Sequence, residues 1–330
     1  MSFLRSRLAT TVAATVLAVL AHAPSASAAP CGVTFGGAFS GSYTCNSLGT
    51  PTGVPGSLGG ITFLDSDTIL IGGNANAAAG VIRQIDVTRD GSGHITGFNG
   101  SSSAYANAPR IDGGLSHGPS GVLFYTTYSD NTIGQLKPGS TTADKVVSLT
   151  ALSPAVASSV GTLAFVPTGF SGAGQMKIAS YSASIWYSTT LTGDGNGTFD
   201  ITIGATNVAL SGGPEGIVYV DGANAGFGGQ DRILISEYST GSIAAYEIDA
   251  NGDPIAATRQ VFLSGLTGAE GAAIDPLTGD FLFSTFGGGN QLMVISGFTA
   301  PVTEAPEPMS IALFASAVAG LGVMRRRRAN

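Results

Sequence analysis

The sequence predicts an all-β domain and, within that class, a β-propeller of five four-stranded blades. Three observations support this prediction. Residues 30–300 contain no long segment with the period of about 3.6 residues that marks an amphipathic helix. Short runs rich in Val, Ile, Thr, Tyr and Phe instead alternate with turns rich in Gly, Ser, Asn and Asp. One unit of about 50 residues then recurs five times, and this is the length of a propeller blade.

Each unit opens with a strand led by glycine, and the opening glycines are 54, 47, 55 and 55 residues apart. They are Gly60, Gly114, Gly161, Gly216 and Gly271. A second apolar strand follows at residues 68–71, 122–128, 176–181, 233–238 and 281–286, and a third at 81–85, 133–136, 185–187, 243–246 and 292–295. More polar runs at 145–149, 199–203 and 260–263 supply a fourth strand. Four antiparallel strands in each unit make a blade.

The last unit has only three strands of its own. The segment 33–45 is strand-like and belongs to no unit, so we expect it to complete the last blade and close the ring. Closure of this kind leaves no open sheet edge. A sixth blade stays open as an alternative if the segment before Gly60, or the long third unit, contains one.

Two openings resemble those of NHL-type and gluconolactonase-like propellers. Residues 213–217 read Gly-Pro-Glu-Gly-Ile, and residues 269–276 read Ala-Glu-Gly-Ala-Ala-Ile-Asp-Pro. The resemblance spans residues 57–298 as architecture and is strongest in the last two units. It implies a catalytic metal held in the central channel by acidic and Asn ligands, a role that carries over only onto Glu215 and Glu270. The other openings depart from the family pattern.

Three carboxylates are the candidate metal ligands. Glu215 and Glu270 occupy the same place in adjacent units, directly before the opening glycine, and Asp112 lies two residues before Gly114. First strands of propeller blades line the channel, so these side chains can converge at one mouth of it. Hard oxygen ligands suit Ca²⁺ or another divalent cation. The alternative is that each Glu caps backbone N–H groups of a neighbouring blade, and no cofactor is then required.

Other polar residues favour structural roles. Aspartates in residues 86–93, 194–200 and 249–253 mimic the start of a calcium loop, but Phe199 and Pro254 stand where the loop glycine belongs, which favours hairpin turns. His117 ends an opening strand and is expected to be structural, with an acid–base role in the channel as the alternative. Trp186, with tyrosines beside it, is expected to pack between blades, with sugar stacking as the alternative. No residue is assigned a catalytic role.

The N-terminal residues 1–29 have the layout of a secretory signal peptide. Arg5 and Arg7 precede an apolar run over residues 8–21, and Ser27-Ala28-Ala29 is a small-residue cleavage site. The run is shorter than the ~20 residues a membrane span needs. Cys31 and Cys45 lie just beyond it, and an even pair in an exported chain favours one disulfide.

The C-terminal residues resemble the PEP-CTERM sorting signal of exopolysaccharide-producing Gram-negative bacteria. A linker at 301–308 carries the motif Pro306, Glu307 and Pro308. An apolar stretch at 309–324 follows, predicted as a transmembrane helix, and then a basic tail at 325–330. The tail contains Arg325, Arg326, Arg327 and Arg328. Such a helix is ~24 Å long, and its arginines hold that end in the cytoplasm. The resemblance implies that the secretion machinery exports the chain, that this helix holds it transiently in the inner membrane, and that an exosortase then cleaves it.

Composition limits the partners further. Between residues 30 and 306, eight Lys and Arg stand against 20 Asp and Glu. This acidic body disfavours nucleic acid as a partner. The sequence therefore predicts an exported propeller at the cell surface or in the extracellular matrix, acting as a binding or structural module linked to exopolysaccharide. The alternative is a metal-dependent lactonase or lyase with its cation in the channel.

Overall fold

The computed structural model describes residues 29–300, which fold as a five-bladed β-propeller. The predicted signal peptide, apart from Ala29, and the predicted sorting signal lie outside these residues. Within residues 29–300, no helix has the length and apolar character needed to cross a membrane. The predicted fold class is confirmed, with five blades and not six.

Every blade is an antiparallel sheet whose first strand is innermost. Three N-terminal strands come first: β1 (Ala29–Pro30), β2 (Thr34–Phe35) and β3 (Thr44–Gly49). Blade one contains β4 (Ile61–Phe63), β5 (Thr68–Gly73), β6 (Val81–Arg89) and β7 (Ile95–Asn107), and blade two contains β8 (Ile111–His117), β9 (Leu123–Thr127), β10 (Thr132–Leu136) and β11 (Lys145–Ser148). Blade three contains β12 (Val160–Phe165), β13 (Met176–Ser180), β14 (Ile185–Gly193) and β15 (Phe199–Ala209). Blade four contains β16 (Pro214–Val220), β17 (Arg232–Glu237), β18 (Ser242–Glu247) and β19 (Gln260–Ser264), and blade five contains β20 (Ala269–Ile274), β21 (Phe281–Thr285) and β22 (Leu292–Ser296).

The N-terminal segment closes the ring. Strand β3 pairs antiparallel with β22 and becomes the fourth strand of blade five, with Cys45 opposite Ile295. Strand β2 instead pairs with β19 and adds a fifth strand to blade four. The segment thus joins two blades, where the sequence predicted one. Cys31 and Cys45 form a disulfide beside this junction. The ring of five blades is closed within residues 29–300.

The hydrophobic core is divided among the five contacts between adjacent blades. Side chains of a strand alternate between its two faces. On β5, Ile69 and Ile71 pack against blade five, whereas Leu70 between them packs against blade two. The contact between blades four and five is the most aromatic, because Phe227 and Phe262 meet residues of the N-terminal segment there.

The three Asp-rich segments form turns with one shared pattern of hydrogen bonds. A carboxylate oxygen of Asp90, Asp194 or Asp249 accepts the backbone N–H groups two and four residues further on, at 2.8–3.2 Å. This self-capping fixes each turn locally. This hydrogen bonding explains why aspartates spaced as in a calcium loop occur in these turns.

Ion pairs join neighbouring blades near these turns. The Arg89 guanidinium makes a two-pronged contact with the buried Asp275 carboxylate, at 2.7 and 2.9 Å, and links blades one and five. The buried Lys177 ammonium lies 2.7 Å from Asp253 and links blades three and four. Each pair satisfies a carboxylate that would otherwise be buried without a partner.

Candidate functional site

The inner strands approach one another at the five opening glycines, here called the glycine ring. Its members are Gly60, Gly114, Gly161, Gly216 and Gly271. A Cβ atom on Gly161 would lie 2.3 Å from the carbonyl oxygen of Pro214, and one on Gly216 would lie 2.3 Å from that of Glu270. A Cβ on Gly271 would lie 2.5 Å from the Cα of the ring member in blade one. These positions lack a side chain because backbone from the next blade fills the space.

Three carboxylates meet on the N-terminal side of the glycine ring. The acid triad consists of Asp112 on β8, Glu215 on β16 and Glu270 on β20. One oxygen of each side chain lies within 4.8 Å of the others. The residues are only 1%, 3% and 1% exposed, respectively. The structure thus brings together the three residues that the sequence singled out, and it buries all of them.

Part of the triad has no partner within residues 29–300. Asp112 Oδ2, Glu215 Oε2 and Glu270 Oε1 are buried and accept no hydrogen bond. The backbone N–H of Gly113 hydrogen-bonds to Asp112 and Glu215, so the capping alternative accounts for part of the arrangement. It leaves one oxygen on each of the three carboxylates unsatisfied. Buried polar atoms of this kind are rare and indicate a missing ligand or proton.

Burial raises the pKa of all three carboxylates and favours their protonated forms. Burial raises the pKa of Asp112 to about 8. Burial also raises the pKa of Glu215 and of Glu270 well above their ordinary value, and the nearby negative charge of Asp112 adds to both effects. Carboxylates that are this close together and shielded from water do not all ionise unless a positive charge lies among them. A divalent cation supplies that charge and displaces the protons.

Two further buried oxygen atoms lack partners within residues 29–300. Ser236 is fully buried, and its Oγ lies 2.8 Å from where a Cβ on Gly216 would be, on the side of the Glu270 backbone carbonyl. The Asn76 side chain hydrogen-bonds to Asp112, and its Oδ1 is buried without a partner. Hydroxyl and amide oxygens are the same class of hard ligand as carboxylates. Neither residue stands out in the sequence, because Asn76 lies in a loop and the repeat gives Ser236 only a place in a second strand.

An arc of four aromatic rings lies on the same side of the propeller. The aromatic arc consists of Tyr128, Tyr181, Tyr238 and Phe286. Successive rings have centroids 6.4, 5.8 and 6.3 Å apart and meet at steep angles. All four are partly or well exposed. Tyr238 also lies close enough to the triad for the charge of Glu270 to add to the effect of burial in raising its pKa.

The positions of the aromatic arc carry a signal in the sequence. Each of its residues directly follows the second strand of its blade, namely β9, β13, β17 or β21. The matching position in blade one is Asn74, which leaves the arc open on that side. An aromatic residue at one register position in four consecutive repeats marks a shared surface, since strands in register end at the same face.

The remaining sequence candidates are placed elsewhere. Trp186 is fully buried, and its indole N–H donates to Asp253 at 2.7 Å, so it packs between blades and offers no stacking face. Tyr187 is buried beside it, and only Tyr181 of that group reaches the aromatic arc. His117 lies beyond the glycine ring, at the other mouth of the channel.

Comparisons with known proteins found only distant structural similarity. No protein-family model matches the chain, and no curated protein matches it in sequence. Among solved structures, an auxiliary nutrient binding protein from Bacteroides ovatus is 11% identical, with a TM-score of 0.42, over 77% of this chain and 76% of that one. A putative 6-phosphogluconolactonase from Bacteroides uniformis is 15% identical, with a TM-score of 0.41, over 82% and 79% of the two chains. The PQQ-bound aldose sugar dehydrogenase of Streptomyces coelicolor is 13% identical, with a TM-score of 0.39, over 76% and 82%. At these values the similarity carries no argument about activity.

Proposed function

We propose that this protein is an exported propeller that binds a divalent cation at the acid triad and a polysaccharide at the aromatic arc above it. The observation that supports the cation site is the set of three buried carboxylates with unsatisfied oxygens within 4.8 Å of one another. Oxygen ligands of this kind are those of Ca²⁺, which takes six to eight of them. Asn76, whose side chain hydrogen-bonds to Asp112, supplies a further oxygen of the right class.

A polysaccharide is the proposed partner because of the chemistry of the surrounding surface. Exposed tyrosines offer flat apolar faces together with hydroxyl groups, and sugar rings present the same combination. The body carries 20 acidic against eight basic residues between positions 30 and 306, so anionic nucleic acid is disfavoured. A bound cation beneath the arc offsets part of this negative charge where a glycan approaches. The proposed partner is therefore an extracellular polysaccharide of a matrix or biofilm.

Export is the third part of the proposal. The N-terminal sequence has the layout of a signal peptide, and the C-terminal sequence resembles the PEP-CTERM signal. A disulfide between Cys31 and Cys45 suits an oxidising compartment. On this proposal the chain passes through the inner membrane of a Gram-negative cell, is cleaved by an exosortase, and reaches the cell surface or the matrix.

A metal-dependent lactonase or lyase is the second candidate function. The observation in its favour is that three protein ligands leave coordination positions of the cation for water or a substrate. The triad residues are at most 3% exposed, however, so a substrate reaches the cation only if the surrounding side chains move. We therefore place binding ahead of catalysis.

Calorimetric titration of Ca²⁺, Mg²⁺ and Mn²⁺ into chelator-treated residues 29–300 tests the cation site. We expect one ion to bind per chain, with at least tenfold weaker binding in Glu215→Gln and Glu270→Gln. Asp130→Asn is the matched control, because this carboxylate is exposed on the loop next to Tyr128 and should leave affinity unchanged. Equal binding by wild type and the two triad variants would refute the site.

A glycan array, probed with and without the bound ion, tests the partner. We expect binding to matrix polysaccharides that Tyr181→Ala and Tyr238→Ala both weaken. Tyr105→Ala is the control, since this partly buried tyrosine lies in β7 of blade one, away from the arc. Hydrolysis or elimination of a lactone or glycan by the metal-loaded protein, abolished in Glu215→Gln, would favour the enzyme.

A further inference from the structure

The connections between strands divide into two sets, one at each end of the blades. Neighbouring strands of every blade are antiparallel, so successive connections lie at opposite ends. The end that holds the aromatic arc, here called the arc face, carries every connection that follows a second or a fourth strand. These ten segments are residues 50–60, 74–80, 108–110, 128–131, 149–159, 181–184, 210–213, 238–241, 265–268 and 286–291.

The arc face carries almost no charge. Its ten segments contain one basic residue, Arg110, and one acidic residue, Asp130. These two already pair with each other, since Arg110 Nε lies 3.4 Å from Asp130 Oδ2. The segments at the opposite end are acidic, with eleven aspartates against Lys137 and Arg259 in residues 64–67, 90–94, 137–144, 194–198, 221–231, 248–259 and 275–280. The negative charge of the loops therefore lies away from the aromatic arc.

A charged polymer would find few partners on the arc face. Uronate and sulfate groups are bound by guanidinium or ammonium groups, and the one guanidinium of these segments is already held by a carboxylate. Ammonium groups need carboxylates in turn, and the one carboxylate of these segments belongs to the same pair. The carboxylates of the acid triad are at most 3% exposed, so a polymer does not reach them. The arc face therefore suits an uncharged ligand.

An aromatic ring and a hydroxyl group recur together on this face. The tyrosines of the arc in blades two, three and four are each followed by a serine, namely Ser129, Ser182 and Ser239. All three serines are exposed. A sugar ring has an apolar face and hydroxyl groups at its edge, so a tyrosine ring with a neighbouring serine hydroxyl matches both parts without any charge. Three such pairs in consecutive blades favour a chain of several sugar units over a single sugar.

The angles between the rings disfavour a flat polysaccharide surface as the partner. The planes of successive rings meet at 77°, 85° and 63° along the arc. A crystalline glycan such as cellulose presents a flat face, and a flat face contacts several aromatic rings only if they lie in one plane. A single dissolved chain can change direction from one ring to the next. The arc therefore suits one chain in solution.

We propose, on the basis of the glycan binding assigned above to the aromatic arc, that the partner is an uncharged, soluble polysaccharide bound as a single chain. The uncharged loops set the charge of this partner, the Tyr-Ser pairs match a sugar chain, and the ring angles require that the chain be single. Electrostatic attraction has no part in such binding, so salt should change it little.

Binding to matched forms of soluble glycans tests the charge of the partner. Biolayer interferometry compares dextran, soluble cellulose and soluble β-1,3-glucan, each immobilised in neutral, carboxymethylated and quaternary-ammonium form, with residues 29–300 in the presence of Ca²⁺. Because the acidic loops also attract the cationic forms, only binding that Tyr181→Ala and Tyr238→Ala weaken is compared. Tyr105→Ala is the control, since this residue lies in β7 and outside the arc face.

We expect the neutral form of at least one backbone to bind roughly fivefold or more tightly than both of its charged forms. This binding should change less than roughly twofold between about 50 and 500 mM NaCl. Each tyrosine variant should weaken it roughly fivefold or more, since a ring contact is lost. If a tyrosine variant melts early, Ser239→Arg replaces it, because this exposed position should gain binding to a carboxymethylated form.

The outcomes separate this proposal from the glycan binding on which it rests. Tyrosine-dependent binding that is as tight for a charged form, or that falls steeply with salt, overturns the uncharged partner and leaves a glycan site at the arc. Equal binding to crystalline cellulose or chitin overturns the single chain. No gain in Ser239→Arg overturns the arc face as the contact surface. Failure of every polymer to show tyrosine-dependent binding overturns the glycan partner itself.

Discussion

Without a cation, the acid triad should make the protein less stable as pH rises. Burial raises the pKa of Asp112 to about 8, whereas an unfolded Asp has a pKa near ~3.9. Between these values the folded state holds a proton that the unfolded state has released. Stability is therefore greatest below pH ~4 as far as this group is concerned, and it falls as pH rises towards 8.

The size of the effect follows from the separation of the two pKa values. One pKa unit corresponds to about 1.4 kcal/mol, so Asp112 alone costs on the order of 5 kcal/mol of folding stability by pH 8. Ionising either glutamate adds to the same cost. A bound cation removes it by pairing with the ionised carboxylates, and saturation at 100 times the dissociation constant contributes about 2.7 kcal/mol.

Urea unfolding of chelator-treated residues 29–300 between pH 5 and 8 measures this effect. We expect the free energy of unfolding to fall by several kcal/mol across that range, and the fall to be smaller in Asp112→Asn, in which Glu215 and Glu270 still contribute. His94 contributes a fall of its own, since its hydrogen bond to the Asp280 carboxylate raises its pKa, so stability is lost as pH rises through that value. His94→Gln run in parallel separates the two contributions. A flat profile in wild type, or the same slope in Asp112→Asn, would refute the reasoning.

Three other predictions concern the ring and its closure. Gly216→Ala should lower the free energy of unfolding by at least about 2 kcal/mol, because its Cβ would lie 2.3 Å from a carbonyl oxygen; Gly91→Ala, with no atom within 4 Å, is the control, and equal losses would contradict the steric argument. Cys45→Ser should cost about 3 kcal/mol in urea unfolding, since the disulfide closes a loop with a sequence separation of 14, and no change in stability would argue against that role. Arg89→Gln should cost about 3–5 kcal/mol because it leaves a buried carboxylate unpaired, whereas Arg110→Gln, which breaks an exposed pair, should cost less than about 1 kcal/mol in the same assay.

The blade count could be predicted because a repeat constrains several levels of structure at once. A glycine occupies the same position in all five units because the backbones of adjacent blades contact each other there, around the axis of the propeller. Every blade makes this contact, so every unit carries the glycine. Ring closure was predictable for a related reason, since a three-stranded last blade leaves an edge to be paired. The pairing of Thr34 and Phe35 with blade four was not, because a two-residue strand carries no pattern that names its partner.

Within the site, the sequence identified charge and missed neutral groups. Glu215 and Glu270 occupy the same position in adjacent units. Side chains at the start of innermost strands lie close to the central channel, so the sequence could predict that these carboxylates meet there. Ser236 belongs to a second strand, and the alternation of that strand predicts only which face of the sheet its side chain lies on. That its hydroxyl lacks a hydrogen-bond partner can be seen only in the structure. For Trp186 the sequence favoured packing between blades over sugar stacking, and the structure encloses the side chain there.

The pairing of Cys45 with Ile295 has a consequence for secretion. The two residues that align β3 with β22 are separated by almost the whole described chain, so blade five cannot assemble until its last strand is available. Contacts of such large sequence separation form late and slowly. An emerging chain would therefore remain threadable through a translocation pore until nearly all of it had crossed. If the chain is exported as proposed, the strand that seals the ring therefore pairs only after most of the chain has crossed the membrane.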